Sequence, residues 1–157
     1  IPEGGHARFI EKFTGKALLP GNFVDEDGRI LGRHQGIARY TVGQRKGLGV
    51  ALGKPMYVVR INAEKNEVVL GEEGRQLSAV LTAHCMNYIP FAPPAASVPI
   101  RVQAKIRYLA PPAPATLYPL SADTARVEFD APQRSVTPGQ SVVLYDGDLV
   151  LGGGIID

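Results

Sequence analysis

Turn-forming residues interrupt this sequence at short intervals, and they limit the chain to short secondary-structure elements. The 157 residues include 18 glycines and 13 prolines, which is too many for a helical bundle. Many of the apolar residues between them alternate with polar ones, as they do in strands of a half-buried sheet. We therefore predict a mainly β protein in which many short strands are joined by tight turns.

The first part of the chain is predicted to contain one helix and two hairpins. Between His6 and Thr14 the apolar residues recur at helical spacing, and Gly15 follows as a stop signal. After it the period changes to two, which predicts hairpins over residues 22–31 and 56–70. We expect a small β-rich central domain with one short N-terminal helix.

The second part is predicted to form a roughly six-stranded antiparallel β-barrel. The clearest signal is the run Ile100–Arg107, where apolar residues alternate with polar ones, three of them cationic. Other strand-like runs cover residues 77–85, 115–118, 126–129, 141–145 and 149–151. Closure into a barrel removes the exposed edges that an open sheet of these strands would have.

Charge is distributed unevenly along the chain, although the formal net charge is only +2. Of the 17 cations and 15 anions, residues 1–75 hold twelve and nine, which leaves five and six for residues 76–157. The change coincides with a Gly-Glu-Glu-Gly turn, so we predict domains over residues 1–75 and 76–157. Between Gly28 and Ala63 there are seven cations and no acidic residue, a bias that favours an anionic ligand.

A glycine-rich basic loop, Gly43-Gln-Arg-Lys-Gly47, lies inside this acid-free stretch. Its cations and backbone amides suit an anion, but its spacing is not that of a Walker nucleotide loop. We predict that Gln44, Arg45 and Lys46 contact an RNA backbone, and the alternative is an ordinary solvated turn. Tyr40 is able to stack on a base, although buried ring packing is the commoner role of tyrosine.

The sequence shows no catalytic or metal-ligating arrangement. Its three histidines have neither metal-ligand spacing nor a cysteine pair beside them. Cys85 follows His84, but neighbouring strand residues point to opposite faces, so we expect a buried structural cysteine rather than a nucleophile. No apolar run reaches the roughly 20 residues of a membrane helix, and one cysteine fits a reducing compartment. We expect a cytoplasmic protein whose residues bind no metal or cofactor.

Several segments together resemble one family, the tRNA-specific 2-thiouridylases. They span nearly the whole chain in the family's order, which makes the combination more specific than any one segment. The segments are Gly21-Asn-Phe-Val-Asp-Glu-Asp-Gly28, Gly32-Arg-His-Gln-Gly36, Tyr40-Thr-Val-Gly-Gln-Arg-Lys-Gly-Leu48, Lys105-Ile-Arg-Tyr108, Val136-Thr-Pro-Gly-Gln-Ser141, Tyr145-Asp-Gly147 and Gly152-Gly-Gly-Ile-Ile156.

The resemblance covers the C-terminal part of such enzymes, a central domain and a β-barrel. It implies a parent sulfurtransferase that thiolates the wobble uridine, position 34, of tRNA. The parent would use ATP, Mg²⁺ and a cysteine persulfide through an N-terminal domain that this chain lacks, and Cys85 matches neither functional cysteine of the family. The implied role of the fragment, itself inactive, is to bind and position the anticodon region of tRNA, while a sulfur-donor protein serves the parent.

The resemblance also implies which barrel residues meet tRNA. Arg107 would contact phosphate, Tyr108 sugar or base, and Gln140 a polar RNA edge. One alternative is a protein-interaction barrel that docks an acidic or sulfur-relay partner, and another is a self-sufficient enzyme. Salt dependence separates RNA binding from the first alternative, because phosphate contacts weaken steeply as salt rises.

Overall fold

The computed structural model describes residues 5–15, 17–92 and 98–157. The chain forms two compact units, Ile1–Gln76 and Leu77–Asp157, and this division falls one residue after the predicted boundary. Each unit has its own cluster of buried apolar side chains. Within the described residues, no helix is both long and apolar enough to span a membrane.

The first unit contains one helix and a four-stranded sheet. Helix α1 (Gly5–Thr14) ends where predicted, because Gly15 takes a φ of 67° and its N–H donates to the Glu11 carbonyl at 2.9 Å. The sheet has the order β2-β1-β4-β3, so that the two predicted hairpins are joined by a parallel pairing of β1 with β4. Its strands are β1 (Gly21–Val24), β2 (Ile30–His34), β3 (Tyr57–Asn62) and β4 (Glu67–Gly71).

The core of the first unit anchors the segment that carries the basic loop. Phe23 on β1 and Val68 on the central strand β4 are fully buried. Leu48 and Met56, from the segment between β2 and β3, are buried in the same cluster. The segment is therefore fixed on the sheet by its own apolar side chains.

The second unit is a closed six-stranded barrel, as predicted, with antiparallel pairing throughout its ladder. Its order is β10-β5-β8-β7-β6-β9. The barrel interior is filled by alternating side chains such as Leu117 and Leu144. The strands are β5 (Leu77–Tyr88), β6 (Ile100–Lys105), β7 (Ala113–Pro119), β8 (Ala125–Arg134), β9 (Ser141–Asp146) and β10 (Leu149–Ile156).

Three consecutive glycines in β10 allow neighbouring strands to approach closely. A Cβ on Gly152 would lie 2.1 Å from the Asn87 carbonyl oxygen, and one on Gly153 would lie 2.5 Å from that of Val142. Both distances are too short for any side chain, so close strand packing requires these glycines.

The prediction of a buried Cys85 is wrong. Cys85 is exposed and has a φ of 51°. It lies at a bulge, where the register between β5 and β10 shifts between Gly153 and Ile155. The extra residue turns Cys85 outward while the next residue, Met86, enters the core. The prediction assumed uninterrupted alternation along β5, and a bulge breaks that alternation.

Candidate nucleic-acid interface

A cleft on the barrel brings together the three barrel residues named from the sequence. It has a volume of about 340 Å³, and no acidic side chain lines it. Arg107, Tyr108 and Gln140 all contribute to its wall, together with Lys105, Ile106, Ser141, Val143 and Tyr145. Residues more than thirty positions apart in sequence thus share one surface, which we call the barrel cleft.

The turn after β6 presents the tyrosine to solvent. The Ala110 N–H donates to the Arg107 carbonyl at 3.2 Å, which places Tyr108 and Leu109 at the corner of the turn. Tyr108 is 90% exposed and Leu109 is 91% exposed. The Lys105 ammonium lies 5.9 Å from the centroid of the Tyr108 ring. A ring in this position is free to stack on a flat partner.

Gln140 is held by a turn that the sequence specifies. Gly139 has a φ of 81° and the Gln140 N–H donates to the Thr137 carbonyl at 3.2 Å, as in a type II turn with Pro138 and Gly139 at its centre. The Gln140 carbonyl in turn accepts the Ile156 N–H at 2.8 Å. The backbone of Gln140 is therefore fixed, while its side chain is exposed to a ligand.

The cationic face predicted for β6 is divided in the structure. Arg101 pairs with Asp130 on β8 through both terminal nitrogens of its guanidinium. The same hydrogen bonds lower the pKa of the Asp130 carboxyl and raise the pKa of Arg101. Among the described residues, Lys105 and Arg107 have no acidic partner, so the unpaired charge of this face lies at the barrel cleft.

In the first unit, two backbone hydrogen bonds connect the basic loop to β3. The Gly43 N–H donates to the Val58 carbonyl at 2.7 Å, and the Val58 N–H donates to the Gln44 carbonyl at 2.9 Å. The Gln44 side chain also bonds within the loop, since its oxygen accepts the Thr41 N–H at 3.1 Å and its amide donates to the Lys46 carbonyl at 3.0 Å. Gln44 therefore shapes the loop, a role that charge and spacing did not reveal.

Arg45 and Lys46 project from this loop into solvent. Arg45 lines a cleft of about 490 Å³, which we call the Arg45 cleft. Lys54 lines the same cleft but pairs with Glu72, and this hydrogen bond lowers the pKa of the Glu72 carboxyl. Among the described residues, Arg45 and Lys46 have no such partner, so they carry the free charge of the loop.

Two further arginines line a groove that the sequence did not single out. The groove has a volume of about 360 Å³ and lies between Arg33 on β2 and Arg39 in the 3₁₀ turn Ile37–Arg39. We call it the Arg33/Arg39 groove. The sequence indicated this groove only through the absence of acidic residues over that stretch. Such an absence does not show that these two arginines line the same groove.

The Tyr40 ring packs against other aromatic rings of the first unit, the commoner of the two roles considered for it. Its ring centroid lies 5.1 Å from that of Phe23 and 5.6 Å from that of His34, both in edge-on contacts.

The His84 imidazole bonds to Asp157 at 2.5 Å. Over the part of the chain that the structure describes, no three His, Cys, Asp or Glu side chains group closely enough to hold a metal ion.

Two family models match the chain. Residues 7–72 match a model described as a tRNA methyl transferase PRC-barrel domain, and residues 78–156 match an aminomethyltransferase beta-barrel domain. Each match falls within one of the two compact units.

The chain is also similar to curated proteins over nearly its whole length. The tRNA-specific 2-thiouridylase MnmA of Acetivibrio thermocellus is 58% identical over 156 residues, which are 99% of this chain and 43% of that relative. The proteins of the same name from Clostridium acetobutylicum and Desulfitobacterium hafniense are each 50% identical over 99% of this chain, and over 43% and 44% of their own lengths. The chain therefore spans less than half the length of these relatives.

Proposed function

The chain belongs to the tRNA-specific 2-thiouridylase family, of whose members it matches the C-terminal part, and on that premise we propose that it binds tRNA and positions the wobble uridine for thiolation. The observation that carries this proposal is the barrel cleft. There an unpaired arginine, an exposed aromatic ring and a primary amide meet without an acidic neighbour in the lining. Groups of these kinds bind single-stranded RNA loops in other proteins.

Each residue of the barrel cleft has a distinct task in this proposal. The Arg107 guanidinium donates two parallel hydrogen bonds to a phosphate. The Tyr108 ring stacks on a base or a ribose, and the Gln140 amide reads a polar base edge with one donor and one acceptor. Both turns are held by backbone hydrogen bonds before RNA arrives, so that little ordering entropy is lost on binding.

Binding through this cleft would also help to expose the target base. Taking a nucleotide out of its stack costs a few kcal/mol, which contacts to the surrounding loop must offset. An anticodon loop suits this task because its bases are already single-stranded.

We assign the sulfur chemistry to the part of the longer relatives that this chain does not match. ATP, Mg²⁺ and a persulfide would act there, and a sulfur-donor protein would serve the same part. No carboxylate lines the barrel cleft, the Arg45 cleft or the Arg33/Arg39 groove, so none of these three depressions offers the acidic oxygen ligands that Mg²⁺ prefers.

Thiolation fits the comparisons better than methyl or aminomethyl transfer, although one family-model description refers to a methyl transferase and the other to an aminomethyltransferase. Those descriptions are of single domains. The relatives named for thiolation match 99% of the chain at 50% to 58% identity. This similarity over both domains supports thiolation as the activity of the parent protein.

A protein-binding role for the barrel is the second candidate. The observation in its favour is Leu109, whose exposed apolar side chain gives the turn a tip that suits a protein surface. In that role Lys105 and Arg107 would meet an acidic or sulfur-relay partner rather than phosphate.

Salt dependence of tRNA binding tests the first role against the second. For the 157-residue chain and a fluorescein-labelled substrate tRNA, we expect log affinity to fall linearly with log salt concentration. Arg107→Gln should weaken binding several-fold and reduce the slope by about 0.7 to 0.9, the share of one phosphate. Fluorescence anisotropy over a salt series measures both quantities.

Arg101→Gln is the matched control, since it removes the same charge from β6, the strand that leads into the turn of Arg107. Its guanidinium is already paired with Asp130, so we expect a smaller loss of affinity than for Arg107→Gln. If the wild-type chain does not bind tRNA even at about 50 mM salt, the tRNA-positioning role is wrong.

A further inference from the structure

The Arg33/Arg39 groove gathers positive charge without a counterion. Arg33 and Arg39 are both exposed, and neither has an acidic partner among the described residues. The rest of the groove is lined by Gln35, Tyr40 and the backbone segment 47–49, so no carboxylate faces it. Two guanidinium groups at one groove repel each other, and a bound anion would relieve that repulsion while accepting their hydrogen bonds.

Hydrogen bonds and packing fix the backbone that carries the two arginines of this groove. The Arg39 Nε donates to the Gln35 carbonyl at 3.2 Å, which orients the guanidinium. Next to Arg33, the buried His34 accepts the Gly36 N–H at 3.0 Å through Nδ1. A Cβ on Gly36 would lie 2.5 Å from the Leu18 Cβ, so this turn is packed against the chain before β1. The two arginines are therefore presented by a preorganised surface.

The wall of the groove is a strip of backbone without projecting side chains. Gly47 and Gly49 have φ values of 73° and 72°, and the side chain of Leu48 between them points into the core. These three residues also line the Arg45 cleft. The glycine strip thus separates two basic depressions and leaves room for a ligand's backbone to approach it closely.

We infer that the Arg33/Arg39 groove binds phosphates of an RNA backbone and that the same strand crosses the Gly47–Gly49 strip toward Arg45. A small anion would need only one of the two depressions, whereas a chain of phosphates makes use of both. This role rests on the proposed function and adds to it a contact that is independent of base sequence, because phosphate contacts carry no sequence information.

Removing both groove arginines tests this role. In the 157-residue chain, Arg33→Gln with Arg39→Gln should lower tRNA affinity by roughly tenfold or more at physiological salt and reduce the salt slope by about 1.4 to 1.8, the share of two phosphates. An RNA stem–loop with a scrambled loop sequence should lose affinity by the same factor. Both arginines are exposed, and matched thermal melts would verify that the variant is folded.

Arg29→Gln with Arg60→Gln is the matched control. These arginines are also exposed and lie in the same acid-free stretch, but they line neither depression. Equal losses in the two double variants would overturn the groove assignment. If Arg107→Gln still weakened binding in that case, only the groove assignment would fail and tRNA positioning by the barrel would stand.

A pyrophosphate titration separates RNA from a free anion as the source of the phosphate. We expect calorimetry to show weak pyrophosphate binding or none, and tRNA affinity to depend on both groove arginines. If the double variant lost tight pyrophosphate binding but kept wild-type tRNA affinity, the groove would serve a small anion and the RNA assignment would be wrong.

Discussion

At the scale of single residues, the barrel cleft depends on side chains that contribute little to folding. Tyr108 lies at the corner of an exposed turn, and its ring has contact with the Lys105 ammonium rather than with a core. Arg107 and Gln140 are also exposed on backbone that is fixed by hydrogen bonds. Substitutions at these positions should therefore change binding without changing stability.

Tyr108→Ala tests the stacking role directly. We expect it to weaken tRNA binding about 5- to 150-fold, the range for loss of one base–aromatic stack, with an unchanged melting temperature. Tyr108→Phe keeps the ring and should retain most of the affinity. Fluorescence anisotropy and thermal melts give both readings, and an alanine variant that binds as tightly as the phenylalanine variant would refute stacking.

The sequence predicted the roles of some residues but not of others, and the difference has physical reasons. The resemblance named Arg107, Tyr108 and Gln140, and the fold places all three at one cleft. Charge and spacing could not show that the Gln44 amide is used inside its own loop. Nor could they show that a bulge turns Cys85 outward, because a bulge depends on pairing with a distant strand.

At the scale of elements, His34 joins three segments of the first unit. Its Nε2 donates to the Asn66 carbonyl at 3.2 Å in the turn between β3 and β4, and its Nδ1 accepts the Gly36 N–H. It packs edge-on against Phe23 and Tyr40. Both ring nitrogens are thus used by the neutral imidazole, since Nδ1 can accept only when it carries no proton.

This arrangement makes the stability of the first unit depend on pH. Burial lowers the pKa of His34 from its ordinary value of 6.5, and the nearby Arg33 charge lowers it further, against an opposing hydrogen bond to Asn66. The unfolded chain therefore takes up a proton first as pH falls below 6.5, and the first unit loses stability from there down to the lowered pKa. The loss cannot exceed about 1.4 kcal/mol per pH unit for one proton.

Urea unfolding between about pH 7.5 and about pH 5.5, read by peptide-resolved hydrogen exchange, measures this effect in each unit separately. This range extends about one pH unit above and below the reference value of histidine. We expect the midpoint of the first unit to fall with pH. In His34→Gln the first unit should be less stable at every pH but should lose most of this pH dependence. A first unit whose midpoint stayed constant over that range would contradict the assigned role of His34.

The elements themselves were largely readable from local patterns. Alternation and turn residues predicted the helix, both hairpins and a six-stranded barrel, and all of these are confirmed. The parallel pairing of β1 with β4 and the strand order of the barrel were not predicted. Both depend on contacts between residues far apart in sequence, which no local period records.

At the scale of the whole molecule, the weak net charge of +2 conceals local concentrations of positive charge. In the described residues three acidic side chains of the barrel are paired away from its cleft, in the Arg101–Asp130, Arg126–Glu128 and His84–Asp157 contacts. Cations without an acidic partner gather at the barrel cleft in one unit, where Lys105 and Arg107 lie, and around the glycine strip in the other, where Arg33, Arg39 and Arg45 lie. A protein organised in this way suits a polyanion that is contacted at several points.

Photo-crosslinking from position 108 tests most directly whether the barrel cleft receives the anticodon loop of tRNA. A benzophenone-bearing phenylalanine replaces Tyr108, or replaces the exposed Leu120 outside the cleft as a control, and the crosslinked nucleotides are mapped by reverse transcription. From position 108 we predict crosslinks that are confined to the anticodon loop and are reduced by Arg107→Gln. From position 120 we predict far fewer. Crosslinks from position 108 that were no more frequent than those from position 120, or that were scattered along the tRNA, would contradict the proposed role.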